Sequence, residues 1–110
     1  MPLTNEQYEA IAHINEEIIA ERIQQEEKFP DQADLPDGTG GEHSRITANI
    51  ARSHCESMGA AVTWKAILCE EYAEAMAESD RTKLRTELIQ VAAVCVKWIE
   101  CIDKRPVEGV

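Results

Sequence analysis

Two short segments in the second half of the chain have the residue types and the spacing of a metal-binding site. The first contains Glu70, Glu71 and Glu74, and the second contains Glu87 and Gln90. Residues three positions apart share one face of a helix, so the oxygen atoms of each segment can point at one place. Two such helices laid antiparallel would bring both sets of oxygen atoms together. Because hard divalent cations such as Mg²⁺ prefer oxygen ligands, the segments predict a divalent-cation site.

The positions of these acids around their helices support the prediction. At about 100° per residue, Glu71 falls in the middle of an apolar stripe, with Glu74 at its edge and Glu78 near it. On the next helix Glu87 lies on the apolar flank. A carboxylate on a core-facing stripe is costly unless it is paired, protonated or bound to a cation. Glu70 points to the opposite edge and is predicted to be solvated.

A second interpretation of the inward-facing acids requires no metal. Arg22, Lys65 or Arg52 would then satisfy the carboxylates as ion-pair partners. Against this interpretation, three carboxylates that share one place repel one another strongly unless a dication lies between them. The residues by themselves leave both interpretations open.

Four helices are predicted to position the acidic segments, which makes the fold class all-α. They run from Thr4 to about Glu27, from His43 to about Met58, from Trp64 to about Glu78, and from Asp80 or Thr82 to about Lys104. Thr4 with Gln7 has the pattern of a capping box, Thr63 is a good N-cap, and Gly59 fits a helix end. The short turn after the third helix makes the last two helices antiparallel neighbours in a four-helix bundle.

Apolar residues at helical spacing predict which helix faces are buried. On the first helix the stripe consists of Tyr8, Ile11, Ala12, Ile18, Ile19 and Ile23. On the fourth helix the seam consists of Leu84, Leu88, Val91, Cys95, Trp98 and Ile102. Because Ile89, Ala92, Val96 and Ile99 widen that seam, the fourth helix is predicted to be the most buried. The second helix carries Arg45, Arg52 and His54 and is the basic helix of an acidic chain.

The remaining segments predict one domain over residues 1–110 with one long loop. Residues 30–42 are rich in Gly, Pro and Asp and form either a functional lid or a simple connection. Arg105-Pro106 ends the fourth helix, so residues 105–110 are predicted to be a frayed tail.

Composition and charge restrict the class of protein. The net charge of −10 leaves no basic face for a nucleic-acid backbone. The chain contains no apolar run long enough to span a bilayer and no export signal at its N-terminus. The four cysteines lack zinc-site spacing and are predicted to be reduced core thiols in a cytoplasmic protein.

The acidic segments and the sequence around them resemble the MazG-like family of all-α nucleotide pyrophosphohydrolases. The paired-helix signature of that family is EExxE followed after a short gap by ExxD, and this chain has Glu70-Glu71-x-x-Glu74 and then Glu87-x-x-Gln90. Residues 21–25, 28–32, 63–68 and 84–94 are also similar to small MazG-like proteins of actinobacteria and their phages. The resemblance covers about residues 4 to 104.

The resemblance implies Mg²⁺-dependent hydrolysis of a nucleoside triphosphate, NTP or dNTP, to monophosphate and pyrophosphate in the control of nucleotide pools. Glu71, Glu74 and Glu87 would hold Mg²⁺, or Mn²⁺ in its place, and serve as the catalytic acids. Gln90 occupies the position of the usual Asp, and it would coordinate through its amide oxygen unless Glu78 supplies the missing carboxylate.

The resemblance also implies how the substrate is held and how the chain assembles. Arg22, Lys65 and Lys83 are the candidates for contacts to the phosphates, and the family fold implies a homodimer or homotetramer with helices paired across subunits. The alternative is a non-catalytic acidic helical module for interaction or regulation. That module would keep the fold but would have lost activity through Gln90, because an amide is neutral and cannot act as a base.

Overall fold

The computed structural model describes residues 1–106, and within them the chain is all-helical. The helices are α1 (Asn5–Lys28), α2 (Glu42–Met58), α3 (Trp64–Ala77) and α4 (Arg81–Lys104). A short 3₁₀ helix, Gly59–Ala61, which the sequence did not predict, follows α2 directly. The all-α prediction is confirmed, and the predicted helix bounds agree with these to within one or two residues. Most of the predicted tail, residues 107–110, lies outside the described residues.

The helix ends form where the capping residues predict them. At the start of α1, Gln7 N donates to Thr4 Oγ1 at 3.1 Å and Thr4 N donates to Gln7 Oε1 at 2.8 Å, which completes the capping box. At the start of α3, Thr63 Oγ1 accepts a hydrogen bond from Ala66 N at 3.1 Å. Gly59 caps the C-terminus of α2 with a φ of 52°, a backbone conformation that glycine adopts without strain.

The chain divides into two compact units. Among the described residues, the first unit contains Met1–Pro36 and residues 99–106, and the second contains Asp37–Trp98. In the first unit Ile14 of α1 is buried, at 2% exposure. Ile14 was not part of the predicted α1 stripe, and within that stripe Tyr8, Ile18, Ile19 and Ile23 are exposed while Ile11 is half-buried. The prediction of a single domain stays a prediction.

In the second unit α2 and α3 pack against each other through small residues. Ala48 of α2 and Ala66, Ala73 and Ala75 of α3 are buried, and small side chains allow two helix backbones to approach closely. The prediction that α4 is the most buried helix is wrong, because only Leu84 of α4 is buried, whereas Leu88 and Ile89 are 46% and 56% exposed. α3 packs closely along α2 and also meets α4 through the side chains of Trp64 and Glu74, which accounts for its greater burial.

Contacts at both ends of α3 show that α3 and α4 are antiparallel neighbours, as the short turn predicts. At one end the rings of Trp64 and Trp98 lie 6.4 Å apart with an angle of 14° between their planes. Lys97 Nζ lies 6.0 Å from the centroid of the Trp64 ring, within reach of a cation–π interaction. Near the other end the carboxylates of Glu74 and Glu87 approach each other. This pairing brings the two acidic segments together.

The end of the long loop is attached to the C-terminal end of α3. Gly40 N donates a hydrogen bond to Met76 O at 2.8 Å, and the backbone of Gly40 packs beside Ser79. Gly40 has a φ of 91°, a conformation that side chains of L-residues rarely adopt. This attachment fixes the position from which α2 begins. A lid function for residues 30–42 stays a prediction.

The remaining sequence-based predictions concern the membrane and the cysteines. Among the described helices, none combines the length and the apolar character that crossing a bilayer requires. All four cysteines are free thiols, but they are not the core residues that were predicted, because Cys55, Cys95 and Cys101 are half-buried and Cys69 is exposed.

Candidate metal centre

Three carboxylates from α3 and α4 converge on one place. Glu71, Glu74 and Glu87 each offer one oxygen atom, and these three atoms lie within 4.8 Å of one another. The i, i+3 spacing on α3 places the first two on one face, and the antiparallel pairing with α4 brings the third beside them. All three residues are half-buried. The structure therefore brings together the three acids that the sequence singled out, and their role as metal ligands stays a prediction.

The separation of the three oxygen atoms fits a small divalent cation. Mg²⁺ binds oxygen at about 2.0–2.1 Å in an octahedron, so its ligand atoms are roughly 2.9 Å apart when adjacent and about 4.2 Å apart when opposite. The three oxygen atoms lie within 4.8 Å of one another, which is close to the larger of these separations. Three carboxylates also leave coordination positions for water or for the oxygen atoms of a phosphate.

Glu71 shows the electrostatic cost of this arrangement. Burial raises the pKa of its carboxyl group above the ordinary value, and the negative charges of Glu74, Glu87 and Glu70 raise that pKa further. A raised pKa means that the folded protein disfavours the charged form of Glu71. A cation between the carboxylates removes this repulsion, so the cluster has the electrostatics of a cation site.

Gln90 faces the cluster with its amide nitrogen. With the amide oriented to satisfy its neighbours, Nε2 lies 3.2 Å from Glu87 Oε2 and 3.3 Å from Glu71 Oε2. The nitrogen thus donates to two carboxylates, one on each helix, which the Asp of the MazG-like signature cannot do. These hydrogen bonds require the amide orientation in which the nitrogen faces the acids, and coordination of a cation through the amide oxygen of Gln90 stays a prediction.

Arg52 of α2 contacts the third carboxylate. Its Nη2 lies 3.4 Å from Glu74 Oε1, and its Nη1 lies 3.4 Å from Asn49 Oδ1. The Arg52 side chain is 47% exposed and that of Glu74 is 24% exposed, so solvent weakens the ion pair. Of the three cations named in the metal-free interpretation, Arg52 is the one that the structure pairs with a cluster residue.

A cleft of about 440 Å³ opens beside the cluster and has walls of opposite charge. Its lining residues are Arg45, Ala48, Asn49 and Arg52 of α2, Glu74 and Ala77 of α3, Glu78 and Ser79 of the turn, and Glu87 of α4. The volume is within the range of small-molecule sites, about 300–1,000 Å³. The sequence analysis did not assign Arg45 or Asn49 to the site. Their spacing was informative, because positions 45, 49 and 52 share one face of a helix.

Arg22, Lys65 and Lys83 were predicted to contact the phosphates of the substrate. Arg22 lies in the first unit, where Nη2 binds Glu26 Oε1 at 2.7 Å and Nη1 binds Gln25 Oε1 at 3.1 Å. Lys65 and Lys83 are exposed and do not line the cleft. The structure therefore gives neither lysine a contact that supports a role in phosphate binding.

Glu78 and Glu70 are placed differently from the three clustered acids. Glu78 caps the C-terminus of α3, accepts a hydrogen bond from Asp80 N at 3.1 Å and lines the cleft, but the cluster of three does not include it. Glu70, predicted to be solvated, is half-buried and accepts a hydrogen bond from the Cys55 thiol, which raises the pKa of that thiol. The reason for this difference is that α2 packs over the face of α3 that carries Glu70.

The candidate centre thus combines three acids, a bridging amide and two arginines from three helices. Comparisons of the chain with protein-family models, with curated proteins and with solved structures found no match. The side chains have a clear chemical character, with carboxylates suited to a divalent cation opposite guanidinium groups suited to a phosphate.

Proposed function

We propose that this protein is a Mg²⁺-dependent nucleoside triphosphate pyrophosphohydrolase. The observation that carries the proposal is the convergence of Glu71, Glu74 and Glu87 within 4.8 Å beside a cleft that also presents two arginines. A triphosphate with its cation needs both kinds of group in one place. The resemblance of residues 70–74 and 87–90 to the MazG-like signature supports the same reaction, namely the conversion of an NTP or dNTP to monophosphate and pyrophosphate.

Each group of residues has a distinct part in this proposal. Glu71, Glu74 and Glu87 would hold Mg²⁺ or Mn²⁺, with Gln90 orienting two of the carboxylates. The bound cation would supply an activated water molecule and neutralise charge on the phosphates. Arg45 and Arg52 would donate to the phosphate oxygens from the opposite wall of the cleft, and phosphate contacts by Arg22, Lys65 and Lys83 stay predictions.

The proposal includes a homo-oligomer with a MazG-like helical bundle in a reducing, cytoplasmic compartment. Supporting the oligomer, many large apolar residues are exposed on the single chain, Ile19, Ile23, Ile50 and Ile89 among them, each at 56% or more. Helix pairing between subunits would cover such residues. Supporting the compartment, the four cysteines are free thiols, which persist where glutathione and thioredoxin keep thiols reduced.

A panel of nucleotides tests the proposed reaction. The purified protein is incubated with each NTP and dNTP, with and without Mg²⁺, and the release of pyrophosphate and monophosphate is followed. We expect Mg²⁺-dependent release from at least one nucleotide, with a loss of roughly 100-fold or more in Glu87→Gln because one charged metal ligand is removed. Glu56→Gln is the matched control, since Glu56 is exposed on α2 and lies outside the cleft. Absence of release from every nucleotide would contradict the proposal.

Gln90→Asp provides a complementary test that adds a ligand instead of removing one. A fourth carboxylate in place of the bridging amide is expected to tighten Mg²⁺ binding about tenfold, because each added negative charge strengthens the attraction for a hard cation. In the presence of a chelator the same variant is expected to be less stable than the wild type, because a donor is replaced by another negative charge. Calorimetric titration of Mg²⁺ and thermal melting measure the two effects.

One observation favours a second candidate, a non-catalytic helical module for interaction or regulation. Gln90 already donates to Glu71 and Glu87, and Arg52 already contacts Glu74, so each of the three acids has a partner without a metal. A module of this kind would show the same melting temperature with and without Mg²⁺ and nucleotide. Because a ligand that binds only the folded state stabilises it, a ligand-dependent rise in melting temperature would exclude this candidate.

A further inference from the structure

We propose that Arg52 couples the binding of a divalent cation to the binding of a phosphate-bearing anion in the cleft. In the metal-free protein the guanidinium group neutralises Glu74. A cation held by Glu71, Glu74 and Glu87 displaces the guanidinium group, which then binds the anion. This inference rests on the proposed function, because it concerns the same centre.

The contacts of Arg52 are those of a group that is held loosely. Both of its hydrogen bonds, to Glu74 and to Asn49, are 3.4 Å long, near the outer limit for such bonds. A guanidinium group has five N–H donors, and these two bonds use two of them. The half-exposed ion pair contributes little to stability, so exchanging it for another partner costs little.

Glu74 is the residue that a cation and Arg52 must share. The oxygen atoms of Glu74, Glu71 and Glu87 form the cluster, while Glu74 also makes the ion pair with Arg52. Two cationic partners of one carboxylate compete, so a cation bound at the cluster weakens the hold of Glu74 on Arg52. The displaced guanidinium group stays beside the cleft, because Arg52 is one of the residues that line it.

Coupling between the two ligands follows from this competition. An anion that binds Arg52 weakens its hold on Glu74 and so strengthens cation binding. Binding free energies are reciprocal, so the cation must strengthen anion binding by the same factor. Without the cation, the negative charges of the cluster repel an anion in the cleft, so the metal-free protein should bind phosphate poorly.

Arg45 offers a matched control for this mechanism. It lines the same cleft and carries the same charge, but the ion pair to Glu74 is made by Arg52. A variant of either arginine removes one positive charge from the wall of the cleft. Only the variant of Arg52 removes the competitor for Glu74.

The first test is a calorimetric titration of Mg²⁺ into metal-free protein in a chloride buffer without phosphate. We expect Arg52→Gln to bind Mg²⁺ about 2- to 5-fold more tightly than the wild type, the range of a half-exposed ion pair. We expect Arg45→Gln to differ less from the wild type. Arg52→Lys keeps the charge and should stay close to the wild type, which also separates the effect from a general loss of folding. Equal effects of Arg52→Gln and Arg45→Gln would overturn the proposal.

The second test repeats the titration in inorganic phosphate, with free Mg²⁺ corrected for its weak association with the anion. Phosphate should tighten Mg²⁺ binding to the wild type more than to Arg52→Gln, which keeps only the coupling that comes from direct attraction between the cation and the anion. Coupling of equal size in the wild type and in Arg52→Gln would overturn the inference while leaving the proposed hydrolysis intact. Hydrolysis is measured separately with the nucleotide panel, so a protein that shows the coupling but releases no pyrophosphate contradicts only the proposed function. A wild-type protein that binds no Mg²⁺ overturns both.

Discussion

At the scale of single residues, the three clustered acids hold negative charges close together at a cost to stability. Glu71 is half-buried among other acids, and burial and the neighbouring charges raise the pKa of its carboxyl group. Gln90 and Arg52 offset part of this cost by donating to the cluster. A residue whose position lowers the stability of the fold is expected to serve binding rather than stability.

Replacing Glu71 by Gln should therefore stabilise the metal-free protein at neutral pH. The folded protein holds the Glu71 proton more tightly than the unfolded chain does. This tighter proton binding stabilises the folded wild type. The stabilisation is fully present below the pKa of Glu71 in the unfolded chain, about 4.5, and is lost as the pH rises through the raised pKa of Glu71 in the folded protein. Because Gln does not titrate, the advantage of Glu71→Gln should be absent at acidic pH and reach its full size above that window, up to about 1 kcal/mol.

Urea unfolding in the presence of a chelator, at acidic and at neutral pH, measures this difference in the free energy of unfolding. Glu56→Gln again serves as the control, because its exposed carboxylate lies outside the cluster. Added Mg²⁺ should stabilise the wild type more than Glu71→Gln. A variant that is less stable than the wild type at neutral pH without metal would contradict the assignment of Glu71 as an electrostatically strained residue.

At the scale of elements, the site depends on how α2 is positioned against the C-terminal end of α3. The hydrogen bond from Gly40 N to Met76 O attaches the loop directly before α2 begins. From that point α2 carries Arg45 and Arg52 along the cleft, opposite the acids of α3. The register between the basic and acidic walls therefore depends on this attachment.

Gly40→Ala should disturb that attachment. A Cβ atom at this position would lie 3.0 Å from Cβ of Ser79, and the φ of 91° is unfavourable for alanine. The expected loss in the free energy of unfolding is about 1–2 kcal/mol from the backbone conformation, with a further loss from the contact with Ser79. Gly38→Ala is the matched control, because its φ is also positive, at 72°, but nothing lies within 4 Å of an added Cβ.

Thermal melting and urea unfolding compare these two glycine variants. Gly40→Ala should lose more stability than Gly38→Ala and should also bind Mg²⁺ and phosphate with weaker coupling, since Arg52 would be displaced along with α2. Equal losses in the two variants would show that the close approach to Ser79 has no effect on stability.

At the scale of the whole molecule, a large negative charge is combined with exposed apolar surface. The chain carries a net charge of −10. On α2, Ile46 and Ile50 are 50% and 65% exposed and lie four residues apart, on one helix face. Pairing of this face with a second copy would cover both isoleucines, and dissolved salt would favour the pairing by screening the charges.

We expect the protein to sediment as a homodimer or homotetramer, and Ile50→Glu should weaken the assembly. A buried negative charge in an apolar contact is costly, so the dissociation constant should rise by about tenfold or more. Sedimentation velocity over a range of protein concentrations measures the change. Thr47→Glu adds the same charge to an exposed position of α2 outside the helix face that carries Ile46 and Ile50, and it serves as the control. A wild type that remains monomeric at every concentration would contradict this prediction.

The helix ends and the convergence of the three acids could be predicted from the residues of this chain. Helix ends follow from side chains that act within one turn, such as Thr4 with Gln7 and Thr63 with Ala66, so the helices could be located from the residues alone. Convergence of the acids was predictable for a similar reason. The i, i+3 spacing places Glu71 and Glu74 on one face of α3. The short turn to α4 makes the two helices antiparallel neighbours.

The residues that surround those acids are known from the tertiary structure and could not be read from the sequence. The packing of α2 determines three features: the burial of α3 rather than α4, the contact of Arg52 with Glu74, and the placement of Arg45 on the cleft. This packing depends on residues that are far apart in the chain. Helix periodicity shows which residues share a face, but not which neighbour that face meets. For this reason the three acids could be identified from the sequence, whereas Arg45 was missed and Arg52 was only one of three candidate partners.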